Sequence, residues 1–197
     1  MKVVLATENA HKVREIKALI RHLDIDIYTL LDFPNYNPPP ETGNSFEEIA
    51  IKKAVSAAKE LNMYAIADDS GLVVPAIGGE PGIFSARYAA PNASDKENRL
   101  KLLERMKNVH NRTAYFDCAI AFAAPSGLIK CVKGSVEGTI IEHAKGGHGF
   151  GYDPLFVKHE YNQTFAELPE ATKNRISHRA KALQKLLILL ESKAEEL

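Results

Sequence analysis

The chain has 197 residues, enough to bury a substantial core as one domain with room for two lobes. Its 25 Lys and Arg balance 25 Asp and Glu, which argues against a protein that coats nucleic acid or an anionic membrane, so any anion site must be local. The N-terminus turns polar at Glu8 before a signal-peptide core can form, and the longest aliphatic run, residues 186–190, is too short to span a bilayer, so a soluble cytoplasmic protein with no membrane partner is expected.

Residues 3–6 read as a strand and 12–22 as a helix, followed by a second strand near 25–30. Residues 34–42 include Pro38-Pro39-Pro40 and must be loop, because proline supplies no donor to a ladder. Phe46, Ala50, Ala54, Ala57 and Leu61 recur at helical spacing, so a helix leads into the apolar run Tyr64-Ala65-Ile66-Ala67, read as the end of a buried strand. A glycine-rich stretch around residues 77–82 precedes a helix announced by Ser94 and Glu97, the spacing of a capping box. Residues 113–124 and 128–141 flank Pro125-Ser126-Gly127 as a long β-hairpin, and a last helix spans 177–195 with Leu183, Leu187 and Leu190 on its buried stripe. Strands alternating with helices, plus a hairpin, predict an α/β fold with a mixed sheet. Cys118 and Cys131 read as reduced, semi-buried thiols rather than a disulfide or a zinc site.

Asp68-Asp69-Ser70-Gly71 follows the buried run, and adjacent acids leaving water need a cation; a divalent ion with oxygen ligands is one solution, and an aspartate-rich turn is the other reading. Two helix starts carry the wrong sign of charge for the helix dipole. Asn9 is followed by His11, Lys12 and Arg14, and Ser177 by His178 and Arg179, an arrangement that becomes favourable where amides and cations share a phosphate; splaying into solvent is the alternative. Residues 145–154 are glycine-dense around Phe150, which allows close approach to a flat ligand and offers a ring for stacking, or else a core plug.

Thr7-Glu8-Asn9-Ala10-His11-Lys12 resembles a T-x-N-x-x-K segment, residues 67–72 an ADDSGL segment, and residues 81–88 a PGxxSARY segment. With Phe150-Gly151-Tyr152-Asp153-Pro154 and Ser177-His178-Arg179, these motifs run in the order found in noncanonical purine nucleoside triphosphate pyrophosphatases, the inosine triphosphatase or Ham1-like family. The resemblance implies one domain over residues 1–197, an elongated mixed β-sheet flanked by helices, two lobes with a central nucleotide cleft, and a homodimer. It implies hydrolysis of ITP, dITP and XTP to the monophosphate and pyrophosphate with Mg2+, a small-molecule nucleotide as partner and no nucleic acid polymer.

Carried over by motif, the segment from Thr7 through Glu8, Asn9, Ala10 and His11 to Lys12 would hold the polyphosphate, joined by Lys173, with Ser70 at the substrate. Asp69 would activate water and bind metal. Phe150, with Gly151 and Tyr152, would form the stacking loop, and Asp153, His178 and Arg179 would meet the base edge. Glu48, in Phe46-Glu47-Glu48-Ile49, resembles the glutamate of an F-x-E-N segment and would be the second metal ligand; a cap with Ser45 and a pair with Lys52 are the local alternative, and Asp68 the other carboxylate. A P-loop is absent, and Ser70 lacks the G-x-S-x-G elbow of a serine hydrolase. A nucleotide-binding regulatory module and a Maf-like pyrophosphatase with another base preference remain as alternatives.

Overall fold

Strand β1 (Lys2–Leu5) lies inside the sheet because Val3, Val4 and Leu5 are fully buried, a continuous apolar run suited to a strand covered on both faces. It pairs in parallel with β2 (Asp26–Thr29) on one side and β3 (Tyr64–Val73) on the other. The computed structural model describes residues 1–195, which form a six-stranded sheet in the order β2-β1-β3-β4-β5-β6. Strands β4 (Thr113–Ala124) and β5 (Gly127–Ile140) are the hairpin expected from the sequence, and β6 (Phe156–Lys158) adds antiparallel to β5, so the sheet is mixed.

The helices are α1 (Ala10–Ile20), α2 (Phe46–Leu61), α3 (Asp95–Arg105), α4 (Glu170–Ile176) and α5 (His178–Glu195). Asn62 ends α2 in the left-handed conformation at φ 52°, which asparagine tolerates better than most residues, and its N–H donates to the Ala58 carbonyl. Both arms of the Ser94–Glu97 capping box form at the start of α3. The helix expected over 177–195 is present as α5, preceded by Ser177 in extended conformation; the short α4, which closes at Ser177, is an element the sequence did not announce. The Asp-Ser-Gly segment is neither a strand end nor a turn, because β3 runs through it to Val73.

The chain forms two compact units, each assembled from separated segments. The first holds residues 1–69, 118–134 and 179–195, and its core packs Val3, Leu5 and Ile66 against Ile16 and Ile20 of α1 and Ala182, Leu183, Leu186 and Leu190 of α5. The second holds residues 70–117 and 135–178, around Leu72, Leu102, Phe116, Phe156 and Phe165. Cys118 is buried and both cysteines are free thiols. Among the described residues no helix is long and apolar enough to cross a membrane.

Candidate functional site

Successive side chains of a strand point to opposite faces, and this separates the two aspartates of β3. Asp68 shares a face with Ile66, the face covered by α1 and α5, and there Lys12 Nζ lies 3.1 Å from its Oδ2. Arg179 donates to the same oxygen through Nε and Nη2, at 3.1 and 2.9 Å, and through Nη1 to Glu15. Asp69 turns the other way, toward Lys53 of α2, whose Nζ is 3.8 Å from Oδ1. Burial works against ionising Asp68, yet Lys12, Arg179 and Lys53 together hold its carboxyl well below the usual carboxylate range. Burial pushes the Asp69 carboxyl up to about 6; Lys12 and Lys53 oppose the rise, and Asp68 and Glu41 add to it. The two neighbouring carboxyls are thus driven apart in acidity, Asp68 toward the ionised form and Asp69 toward the protonated one relative to an ordinary aspartate.

A second carboxylate reaches Asp69 through Lys53, which is buried and donates to Glu41 Oε1 at 2.9 Å and to the Asp68 carbonyl at 2.9 Å. Glu48 has local partners. It accepts from the Asn44 amide at 2.9 Å and pairs with Lys52 at 2.8 Å, while its own N–H donates to Ser45, the local arrangement weighed as the alternative to metal binding. Among the described residues no group of three or more His, Cys, Asp or Glu could hold a metal ion. Asp69 and Glu41 nevertheless form a hard-oxygen pair, and Mg2+ takes one or two carboxylates together with substrate oxygens and water, so the donor set fits that ion.

At the start of α1 the amides of His11 and Lys12 are capped by Asn9 Oδ1, at 3.0 and 3.2 Å, and the Asn9 amide donates to Thr7 Oγ1 at 3.2 Å. Several amides expected to receive an anion therefore have internal partners, and Lys12, reaching inward to Asp68, is the cation this helix start contributes to the acidic pair. Glu8, Ala10 and His11 are exposed.

The remaining predicted residues gather in the second unit. Asp153 Oδ2 accepts from the Phe150 amide at 2.9 Å and from Lys173 Nζ at 2.5 Å, and that ammonium also lies 4.7 Å from the centroid of the Phe150 ring. Lys173, expected at the polyphosphate, is thus tied to Asp153, whose buried charge needs a partner. Gly149 allows this closeness: at φ 73°, a Cβ there would fall 2.2 Å from Asp153 Oδ2. Tyr152 donates from its hydroxyl to the Ser85 carbonyl at 2.9 Å, and Ser85 accepts from the Leu72 amide at 3.0 Å. Ser70 lies half-buried in β3, two residues before Leu72. The buried His178 ring stacks on Phe116 at 4.7 Å and 12°.

Sequence reasoning missed Glu15, Glu41 and Lys53. Glu15 and Lys53 carried a signal, since each is a charge on the buried stripe of its helix, beside Ile16 in α1 and Ala50 and Ala54 in α2. Glu41 carried none, because a loop has no periodicity to violate.

Residues 3–189 match a protein-family profile described as the Ham1 family. A protein named dITP/XTP pyrophosphatase from Protochlamydia amoebophila (strain UWE25) is 51% identical over 196 residues, covering 98% of each chain. The solved structure of the Staphylococcus aureus Ham1 protein is similar at a TM-score of 0.87 and 41% identity, covering 98% of this chain and 100% of that one. A HAM1 protein from Coxiella burnetii is similar at a TM-score of 0.88 and 39% identity, covering 98% and 99%.

Proposed function

The chain belongs to the Ham1 family, and from that premise we propose that it hydrolyses noncanonical purine nucleoside triphosphates, dITP, ITP and XTP, to the monophosphate and pyrophosphate, removing them from the nucleotide pool. The observation that carries the reading is the acidic pair of β3, with Asp69 raised to about 6 beside an Asp68 held ionised.

Asp69 takes the proton from a water whose oxygen bonds to the α-phosphorus while the bond from that phosphorus to the bridging oxygen breaks, and the electron pair leaves with pyrophosphate. A carboxyl with a pKa of about 6 is mostly ionised at neutral pH, yet remains a stronger base than an ordinary aspartate. Lys12, beside Asp68, supplies positive charge toward the phosphates, and Lys53 holds Glu41 near Asp69. Asp69 and Glu41 would hold Mg2+, which when bound neutralises charge on the phosphate oxygens.

Phe150 stacks on the purine, with Ser70, Gly151 and Tyr152 shaping the surroundings. Base choice follows hydrogen-bond polarity. A donor such as Arg179 or His178 at the base edge suits the 6-keto oxygen of hypoxanthine or xanthine, whereas the amino group of adenine would face that donor unpaired. Because neither compact unit is continuous in sequence, residues 1–197 act as one domain. We further read the enzyme as a cytoplasmic homodimer, tested by light scattering on the eluting protein.

The deciding experiment is pyrophosphate release from a panel of triphosphates with Mg2+. Rapid release from dITP, ITP and XTP with little from dATP or dCTP is expected. Binding without release would make the chain a regulatory module, and an unrelated base preference would point to Maf-like chemistry.

A further inference from the structure

We propose that Asp95 and Arg99 of α3 are positioning residues for the base, acting through the backbone of Gly151 to set the Phe150 ring. The proposal rests on the reading of Phe150 as the stacking residue. Gly151 follows Phe150 at φ 58°, and both of its backbone polar groups bond to α3: its N–H donates to Asp95 Oδ2 at 2.7 Å, and its carbonyl accepts from Arg99 Nη1 at 2.7 Å. Asp95 and Arg99 are four residues apart, so one helix face presents an acceptor and a donor a turn apart, matching the two polar groups of a single residue.

The geometry reaches Phe150 directly. The Gly151 N–H belongs to the peptide that follows Phe150, and the Gly151 carbonyl to the next one. The peptide preceding Phe150 is held by its own N–H donating to Asp153 Oδ2 at 2.9 Å. Peptide planes on both sides of Phe150 are therefore fixed, leaving its side-chain torsions, over which Lys173 sits at 4.7 Å. The clamp has a firm base, because Asn98 of the same helix accepts from the Ala89 amide at 2.8 Å and donates to the Ala86 carbonyl at 3.1 Å. An acid at the first position of α3 suits the helix dipole, but that preference alone requires no contact with Gly151.

The test uses the full chain with Mg2+ and dITP. Asp95→Ala and Arg99→Ala are expected to raise KM about fivefold to tenfold with kcat within about twofold, the pattern of lost uniform binding. Asp95→Asn keeps an acceptor oxygen and Arg99→Lys keeps a donor, so both are expected to recover most of the loss. Inhibition by pyrophosphate, which has no base, is expected to stay unchanged. Combining Asp95→Ala with Phe150→Ala is expected to give the KM of Phe150→Ala alone, because the clamp acts only through that ring. A raised KM for Phe150→Ala with a wild-type KM for Asp95→Ala and Arg99→Ala overturns the clamp and leaves stacking intact, as does strict additivity in the double variant. An unchanged KM for Phe150→Ala overturns the stacking reading and the clamp with it.

Discussion

Replacing Asp69 by Asn should stabilise the protein while abolishing turnover, and the size of the gain follows from the site. Burial drives this carboxyl from an ordinary 3.8 to about 6, and at about 1.4 kcal/mol per pH unit the folded state disfavours the ionised form by about 3 kcal/mol. The native state binds more protons than the unfolded chain between these two values, so the wild type loses stability as pH rises from about 4 to 6. Asparagine has the same shape and no charge to desolvate. It gives up the attractions of Lys12 and Lys53, which the shift to about 6 already includes, so a net gain of about 3 kcal/mol above pH 7 is expected. In a chain of this length that corresponds to a rise in Tm of roughly 6–12 °C. Thermal melts of both proteins in chelator, from pH 4 to pH 8, should coincide at the acid end and diverge through pH 6. Mg2+ should then raise the wild-type Tm more than that of the variant. A variant that melts at or below the wild type at pH 7.5 would refute the burial argument, and one that still turns over dITP would remove Asp69 from its role as base.

Asp68→Ala should behave oppositely: it strands Lys12 and Arg179 beside a vacated carboxylate, and a loss of about 3–5 kcal/mol in denaturant unfolding is expected. Arg179→Ala breaks the same cluster and leaves Asp68 and Glu15 without it, so a lowered Tm should accompany any change in base preference; a wild-type Tm with altered preference would assign it to the base alone. Glu41→Gln should raise the Mg2+ concentration for half-maximal activity about tenfold or more, whereas Glu48→Gln should shift it little, and the reverse result would restore Glu48 as the ligand. Gly149→Ala should raise KM for dITP, since the new methyl would collide with Asp153 and φ 73° disfavours any residue but glycine; an unchanged KM would show that the loop relaxes freely.

Most of the scaffold was legible because its signals are local. Alanines at helical spacing announce α2, the Ser94–Glu97 pair announces α3, and Pro125-Ser126 between two long β runs announces the hairpin. Three-residue β6 and seven-residue α4 escape a sequence reading because such short runs have no period to detect, whereas the last helix starts where Ser177 marks it. Asp-Ser-Gly favours turns and so points to a strand end at the aspartates, but tertiary pairing overrides that preference and β3 continues to Val73.

Residue order alone determined which chemical groups the protein possesses, namely paired carboxylates after a buried run, lysine and arginine at helix starts, and an aromatic among glycines, because these are properties of short segments. Tertiary structure alone decided how those groups differ. Asp68 and Asp69 are neighbours with the same side chain, and only strand alternation sends one toward Arg179, 111 residues distant, and the other toward Lys53. It likewise brought Glu41 to Asp69 and paired Glu48 with Lys52. The reason is electrostatic: the acidity of a buried group is set by its desolvation and by charges within a few ångströms, and the fold supplies those from distant parts of the chain.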